Sequence, residues 1–187
     1  MTARRIPIFS TIIVLAAVAT MIGLGLWQLG RLSEKQALVA RYVAAASEID
    51  PVVFPVADKG DDMLFRRSRI DCLEVIDVEP VAGTAATGAK GWAHRATCKV
   101  SKDASVLVDL GFSRDLAKPS FAGGSLTGVI ASGPRLVADP AVAGLQPLAK
   151  PDPGDLPNNH LAYAGQWFFF ALTALVIYVL ALRRKQR

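Results

Sequence analysis

A histidine stands where a polar segment gives way to the C-terminal apolar run of the chain. His160 precedes the uncharged run 161–182, and Tyr163 and Trp167 follow it at i+3 and i+7, so the three side chains share one helix face. A neutral imidazole nitrogen can bind a metal ion or a metal-containing cofactor. Ionisable residues at a membrane boundary tend to mark functional sites, although a histidine at that depth can also simply be hydrated. The sequence leaves both interpretations of His160 open.

Two apolar runs are long enough to position this histidine at a membrane. No charged side chain occurs between Arg5 and Arg31, and the run 161–182 is also uncharged. About 20 apolar residues suffice to cross a hydrocarbon core. The first run is longer than the apolar part of a secretory signal, and no small-x-small cleavage site follows it directly. We therefore interpret both runs as transmembrane helices.

The distribution of charge predicts the topology of the chain. Residues 31–160 contain all 16 acidic side chains and 15 of the 21 basic ones, and the other six basic residues flank the outer ends of the two runs. By the positive-inside rule, both termini are cytoplasmic and the middle of the chain is exported. The net charge of +5 thus belongs to tails beside lipid headgroups and does not indicate nucleic-acid binding. Because no Arg- and Ser-rich presequence precedes the first run, we expect a bacterial inner membrane and a periplasmic middle domain.

The exported middle is predicted to be a small, mostly antiparallel β domain. Alternating patterns indicate strands, and "SKDA" indicates a hairpin turn. The strand patterns are 63–80, 91–100, 105–112 and 125–133. Six of the 11 prolines fall between 134 and 157, which predicts an extended connector that is neither helix nor central strand.

The predicted fold class is therefore a membrane α+β protein, in which a transmembrane helical hairpin encloses the β domain. We expect the helix of the first run to continue beyond the membrane as an amphipathic extension. The predicted division is a cytoplasmic tail 1–5, a transmembrane helix 6–30, the extension 31–50, the periplasmic β domain 51–133, the connector 134–159, a second transmembrane helix 160–182 and a basic cytoplasmic tail 183–187.

Cys72 and Cys98 both lie in the exported region, where an oxidising compartment favours disulfides. They are 26 positions apart and form no C-x-x-C motif, so a structural disulfide is the simplest hypothesis, with free thiols or copper binding as alternatives. On neighbouring strands, such a bond would fix the register of the sheet. The other histidine, His94, is interpreted as an ordinary surface residue of a strand.

If both helices cross one bilayer, the outer end of the first lies at the depth where the second begins. The polar and aromatic residues brought to this level are Trp27, Gln28, Arg31, His160, Tyr163, Gln166 and Trp167. Haem suits such a boundary, because its ring can lie in lipid, its propionates can face water and an imidazole can bind its iron axially. Arg31 is predicted to pair with a propionate, and Gln28 and Gln166 to donate hydrogen bonds. The aromatic residues equally fit an interfacial belt that only anchors the helices.

Two segments resemble the signature motifs of a known family. "GLWQLGRLSEK" (25–35) and "PNNHLAYAGQWFFFA" (157–171) are similar to motifs of the Surfeit-locus family of cytochrome c oxidase assembly factors, and the segments 65–70 and 106–114 resemble its strand motifs more weakly. The resemblance implies a non-enzymatic factor of bacterial type. It implies transient binding of haem a and assistance with its insertion into oxidase subunit one, with the haem a synthesis machinery as a further partner.

The resemblance also implies roles for individual residues. The family's motif histidine, proposed as a haem ligand, matches His160. The other matching motif positions are Trp27, Gln28, Arg31, Tyr163 and Trp167.

The strongest alternative is a membrane scaffold that stabilises oxidase assembly intermediates without binding haem. In this interpretation His160 only hydrogen-bonds the returning loop, and Gly23 and Gly25 let a partner helix approach closely. An enzyme is disfavoured, because the sequence offers no acid–base pair beside a nucleophile.

Overall fold

The computed structural model describes residues 7–56 and 60–185, which form two compact units. The helical unit contains the chain up to Leu38 and again from Pro157, and the β unit contains Val39–Leu156. The predictions made for the tail 1–5 and for the last two residues of the tail 183–187 lie outside the described residues.

Two long helices account for the helical unit. Helix α1 spans Ile8–Ser47 and helix α2 spans His160–Lys185. Both are long and apolar enough to cross a membrane, and most of their large apolar side chains are exposed, so they are candidate membrane spans. At a rise of 1.5 Å per residue, α1 is about 60 Å long and exceeds the roughly 30 Å of a hydrocarbon core. It ends at Ser47, shortly before Pro51, and a proline disfavours the helical conformation of the residue that precedes it.

The helices of this unit run antiparallel. Near the start of α1, the hydroxyl of Thr11 is hydrogen bonded to the hydroxyl of Tyr178, close to the end of α2. Small or apolar residues seven positions apart are buried on each helix, and heptad spacing is typical of a knobs-into-holes seam. These residues are Val18 and Gly25 on α1, and Ala164 and Ala171 on α2. The start of α1 and the end of α2 therefore lie together.

The β unit contains one seven-stranded sheet. Its strands are β1 (Val52–Val53), β2 (Arg67–Cys72), β3 (Glu74–Thr84), β4 (Lys90–Ser101), β5 (Ala104–Ser113), β6 (Gly124–Ala131) and β7 (Arg135–Ala138). The spatial order is β1-β2-β6-β7-β5-β4-β3. Short 3-10 helices occur at Asp61–Met63 and Pro153–Asp155. The predicted turn "SKDA" is confirmed, since Ser101 pairs with Ala104 where β4 turns into β5.

The sheet is mixed, which corrects the prediction of a mostly antiparallel domain. β1 pairs with β2 in parallel, and β5 pairs with β7 in parallel. β7 follows β6 through a tight turn at Gly133, whose φ of 76° suits glycine, and it therefore runs antiparallel to β6. The alternation of a strand reveals which side chains face inward but not which strand lies next to it, so the pattern could not show the parallel pairs.

The prediction that 134–157 contains no central strand is wrong, because β7 lies between β6 and β5. The four residues of Arg135–Ala138 contain no proline, so all of their amides are free to join the ladder. Pro134 and Pro140 flank the strand instead of interrupting it. Proline content averaged over the whole segment concealed this short run.

A disulfide joins Cys72 at the end of β2 to Cys98 in β4. These strands are not neighbours, because β6, β7 and β5 lie between them in the sheet. Beside the disulfide, the Leu73 amide donates a hydrogen bond to the Lys99 carbonyl at 2.9 Å. Only Leu73 separates β2 from β3, yet β2 pairs with β6 and β3 pairs with β4. The sheet thus curves back on itself as a partial barrel, and the disulfide closes it.

The core of the β unit lies inside this curved sheet. Its buried side chains include Phe54, Ile70, Val108, Leu110, Leu126, Ile130 and Leu136, together with the two cysteines. The last turns of α1 contribute Tyr42, whose ring packs on Phe65 with centroids 5.1 Å apart. The extension of α1 therefore takes part in the packing of the β unit.

Candidate functional site

The predicted site residues on the two helices meet at one contact. His160 is the first residue of α2, and the Tyr163 amide donates to the carbonyl of Asn159, which therefore occupies the N-cap position. His160 Nδ1 lies 2.7 Å from Gln28 Oε1 of α1, although 132 positions separate the two residues. Both side chains are half-buried. The contact lies at the end of the helix pair opposite to Thr11 and Tyr178.

A glycine one turn away brings the helices close enough for this contact. A Cβ built at Gly25 would lie 2.5 Å from the ring of Phe168, closer than packed atoms allow. Gly25 and Gln28 are spaced i, i+3 on α1, and His160, Ala164 and Phe168 are spaced i, i+4, i+8 on α2. The absence of a side chain at Gly25 and the small one at Ala164 therefore place Gln28 within reach of the imidazole.

The other predicted site residues flank this contact without joining it. Trp27 and Tyr163 are 58% and 50% exposed, so both present open aromatic surface. Trp167 is half-buried and meets Phe170 edge-on at 6.3 Å, while Gln166 is exposed. Arg31 forms an ion pair with Glu34 on the same helix. Of the seven predicted residues, the structure thus joins Gln28 and His160 directly.

The segments that contain Gln28 and His160 both lie within a long stretch that matches a known family. A family model described as the SURF1 family matches residues 15–172. The chain belongs to the SURF1 family. The match includes both motif segments, 25–35 and 157–171, and the whole β unit between them, which confirms the resemblance stated from the sequence. No curated protein matches the chain.

Membership of the SURF1 family indicates a general function. The SURF1 family is linked to the assembly of cytochrome oxidase, and its members are assembly factors that are not known as enzymes. The two candidate spans and this membership fit a membrane protein.

The β unit contains a second polar arrangement, which centres on a buried carboxylate. Asp109 in β5 accepts hydrogen bonds from Arg95 Nε at 2.6 Å and from Arg135 Nε at 2.8 Å. The hydrogen bond to Asp109 raises the pKa of the Arg95 guanidinium above its ordinary value. The three residues line a cleft of about 430 Å³. Because Arg95 and Asp109 are cross-strand partners and Arg135 lies on the adjacent β7, the cluster ties three strands together.

His94 contradicts its interpretation as a surface histidine. It is fully buried in β4, where Nε2 lies 3.2 Å from the carbonyl oxygen of Asp115 and Nδ1 has no partner among the residues that the structure describes. Both faces of β4 are covered at this point, since Ala93 belongs to one buried cluster and Ala96 to another, so Ala93 and His94 are both buried. Alternation in the sequence predicts one buried and one exposed face, and it does not reveal a strand that is covered on both.

Sequence reasoning missed the carboxylate cluster, although a signal for it was present. Asp109 is the only charged residue in the run "SVLVDLGF", which forms a strand buried on both faces. A carboxylate in such a strand requires cationic partners. Its partners Arg95 and Arg135 lie on strands whose pairing the sequence did not reveal, so they could not be identified from spacing.

Proposed function

We propose that this protein assists the maturation of cytochrome c oxidase as a carrier that holds haem a through His160 and delivers it to oxidase subunit one. The contact between Gln28 and His160 carries the proposal, because it joins the two motif segments at one end of an apolar helix pair. Membership of the SURF1 family supports the choice of oxidase assembly as the setting. The haem a synthesis machinery is the expected donor of the cargo.

The side chains at this end of the hairpin fit a haem cargo. With Nδ1 bonded to Gln28, the Nε2 of His160 remains as the nitrogen that would bind a haem iron. Trp27 adjoins Gln28 in the chain and Tyr163 follows His160 by one turn, and their exposed rings suit the face of an apolar macrocycle. Arg31, whose partner Glu34 is an exposed surface carboxylate, can exchange it for a haem propionate.

The arrangement of the hairpin supports the proposed topology. Because α1 and α2 are antiparallel, the start of α1 lies beside the end of α2, which contains Arg183 and Arg184. The positive-inside rule assigns that end to the cytoplasm and the His160 end to the opposite side. In a bacterial inner membrane, the β unit then lies in the periplasm, which is an oxidising compartment in which its disulfide persists.

Haem retention after purification tests the proposal. The full chain is co-expressed with the enzymes of haem a synthesis, purified in mild detergent and examined by its reduced absorption spectrum. We expect haem a in the purified wild type and its loss in His160→Ala. A colourless wild type, or a His160→Ala variant with its full haem content, contradicts the proposal.

A matched control separates haem ligation from general weakening of the hairpin. Tyr178→Phe removes the hydroxyl contact with Thr11 at the far end of the same helix pair. We expect this variant to retain haem like the wild type. Equal loss of haem in Tyr178→Phe and His160→Ala would indicate that the hairpin as a whole, and not the imidazole, retains the cofactor.

One observation favours a second candidate, the haem-free scaffold. A Cβ built at Gly23 would have no atom of the described chain within 4 Å, so α1 has a face on which another helix can approach. At Gly25, by contrast, Phe168 of the hairpin itself fills the space. If a Gly23→Leu variant retains haem but no longer co-purifies with an oxidase subunit, docking through α1 accompanies haem delivery.

A further inference from the structure

We infer that Gln28 is a positioning residue, which fixes the tautomer and the orientation of the His160 ring so that Nε2 is the nitrogen presented to iron. The inference rests on the proposed function and adds a residue that acts through the ligand and not on the haem. Gln28 Oε1 and His160 Nδ1 are 2.7 Å apart, a strong hydrogen-bond distance. An amide oxygen only accepts hydrogen bonds, so Nδ1 carries the proton and the lone pair lies on Nε2.

The protein fold holds this donor and acceptor in place from both sides. His160 is fixed at the first residue of α2, and Ala164, one turn further on, is buried against the helix seam. Gln28 lies one turn after Gly25, where the ring of Phe168 approaches the backbone of α1. Each side chain is therefore held by its own helix, and the contact orients the imidazole ring.

The hydrogen bond between Gln28 and His160 should affect a bound iron as well as the imidazole ring. A histidine that ligates a metal usually donates its second N–H to an oxygen, which fixes the tautomer and makes the ligand more basic. A neutral amide oxygen gives this effect in moderate strength, and a carboxylate in the same place gives more. Electron donation from the His160 ring to iron should thus increase from Gln28→Met through the wild type to Gln28→Glu.

The first test needs no haem. Full-length protein labelled with ¹⁵N-histidine is studied in detergent micelles, with the His160→Ala spectrum identifying which signal belongs to His160. We expect the Nδ1–H tautomer in the wild type and in Gln28→Glu, and its loss in Gln28→Met. Gln36→Met, the same substitution at an exposed position further along α1, should leave the tautomer unchanged. A wild-type His160 in the Nε2–H form overturns the inference.

The second test uses the haem-loaded protein and reports on the iron. Loss of an outer partner typically costs a factor of roughly 10 to 100 in metal affinity, so we expect Gln28→Met to retain haem at least tenfold more weakly. The reduction potential should fall in Gln28→Glu and rise in whatever Gln28→Met still retains. Gln36→Met should match the wild type in both measurements.

The two proposals fail in different ways. If the wild type binds haem and loses it in His160→Ala, but both Gln28 variants keep the wild-type potential and affinity, Gln28 has no positioning role and haem binding stands. If the wild type is colourless, the proposed function fails and this inference falls with it, whatever the tautomer. If Gln28→Glu retains the haem affinity of the wild type and Gln28→Met does not, the oxygen acceptor matters and not only the volume of the side chain.

Discussion

The β unit and the helical unit place the same kinds of side chain in opposite positions. In the β unit apolar residues fill the inside of a curved sheet, whereas in the hairpin they cover the outside of two helices. The β unit encloses its buried carboxylate with two arginines, and the hairpin places one imidazole and one amide together among apolar neighbours. The difference indicates that the surface of the β unit suits water and that of the hairpin suits lipid. Polar groups stabilise the fold in the first, and in the second they form the site that we propose for a ligand.

The largest effect is expected from removing the disulfide of the β unit. Cys72→Ala/Cys98→Ala releases a loop of 26 positions in the unfolded chain, and chain entropy then predicts a loss of about 3 kcal/mol in the free energy of unfolding. Trp92 is the tryptophan of the β unit, so its fluorescence in a Trp27→Phe/Trp167→Phe background follows urea unfolding of that unit. Reductant should lower the stability of the wild type and leave that of the double variant unchanged. Equal stability without reductant would contradict the closing role of this bond.

A somewhat smaller effect is expected at the carboxylate that ties three strands together. Asp109→Ala leaves two arginines without their partner, which costs about 3 to 5 kcal/mol in fully buried pairs. Because the side chains of Arg95 and Arg135 are 23% and 27% exposed, water compensates in part and we expect about 2 kcal/mol by the same urea assay. Asp103→Ala, in the exposed turn between β4 and β5, is the control and should change little. Equal effects of the two variants would remove the distinction between buried and exposed carboxylates.

Much of the architecture follows from sequence, because apolar runs and charge bias are local signals. The two helices, the strand patterns and the motif histidine all depend on residues close together in the chain. Three features depend on distant contacts, which no local pattern encodes: the parallel pairing of β7 with β5, the burial of His94 and the partners of Asp109. The contact of Gln28 with His160 is predictable only in part. The sequence indicates that both residues lie at one depth in the membrane, but the distance between the helices depends on the packing of Phe168 against Gly25.

In the helical unit, a change at Gly25 tests whether close approach positions the site. A methyl group in Gly25→Ala would lie 2.5 Å from the Phe168 ring, which must move, at a cost of about 1 kcal/mol for modest overpacking. We expect the ¹⁵N signals of His160 to shift and haem retention to fall. Gly23→Ala is the matched control, because no atom of the described chain lies within 4 Å of the added methyl. If both variants behave like the wild type, the position of Gln28 does not depend on the contact at Gly25.

The smallest effect is expected on the surface of the β unit, at Asp77. A hydrogen bond from Lys118 lowers the pKa of Asp77 below its ordinary value of 3.8. Since the folded pKa is the lower one, the contribution to stability is present above about pH 3.8 and disappears as the pH falls through the folded pKa. Lys118→Met should therefore raise the pKa of Asp77 in an NMR titration, while Lys99→Met, which disrupts the exposed pair with Glu74, should not.

Stability at neutral pH should hardly respond to Lys118→Met, because exposed ion pairs are screened by water and salt. This outcome sharpens the contrast with Asp109, whose two arginines are largely shielded from solvent. An aspartate that pairs with basic side chains thus has a large effect where it is buried and a small one where it is exposed. A loss of stability in Lys118→Met as large as that in Asp109→Ala would mean that burial is not what separates the two carboxylates. The interpretation of Asp109 as the polar centre of the β unit would then be wrong.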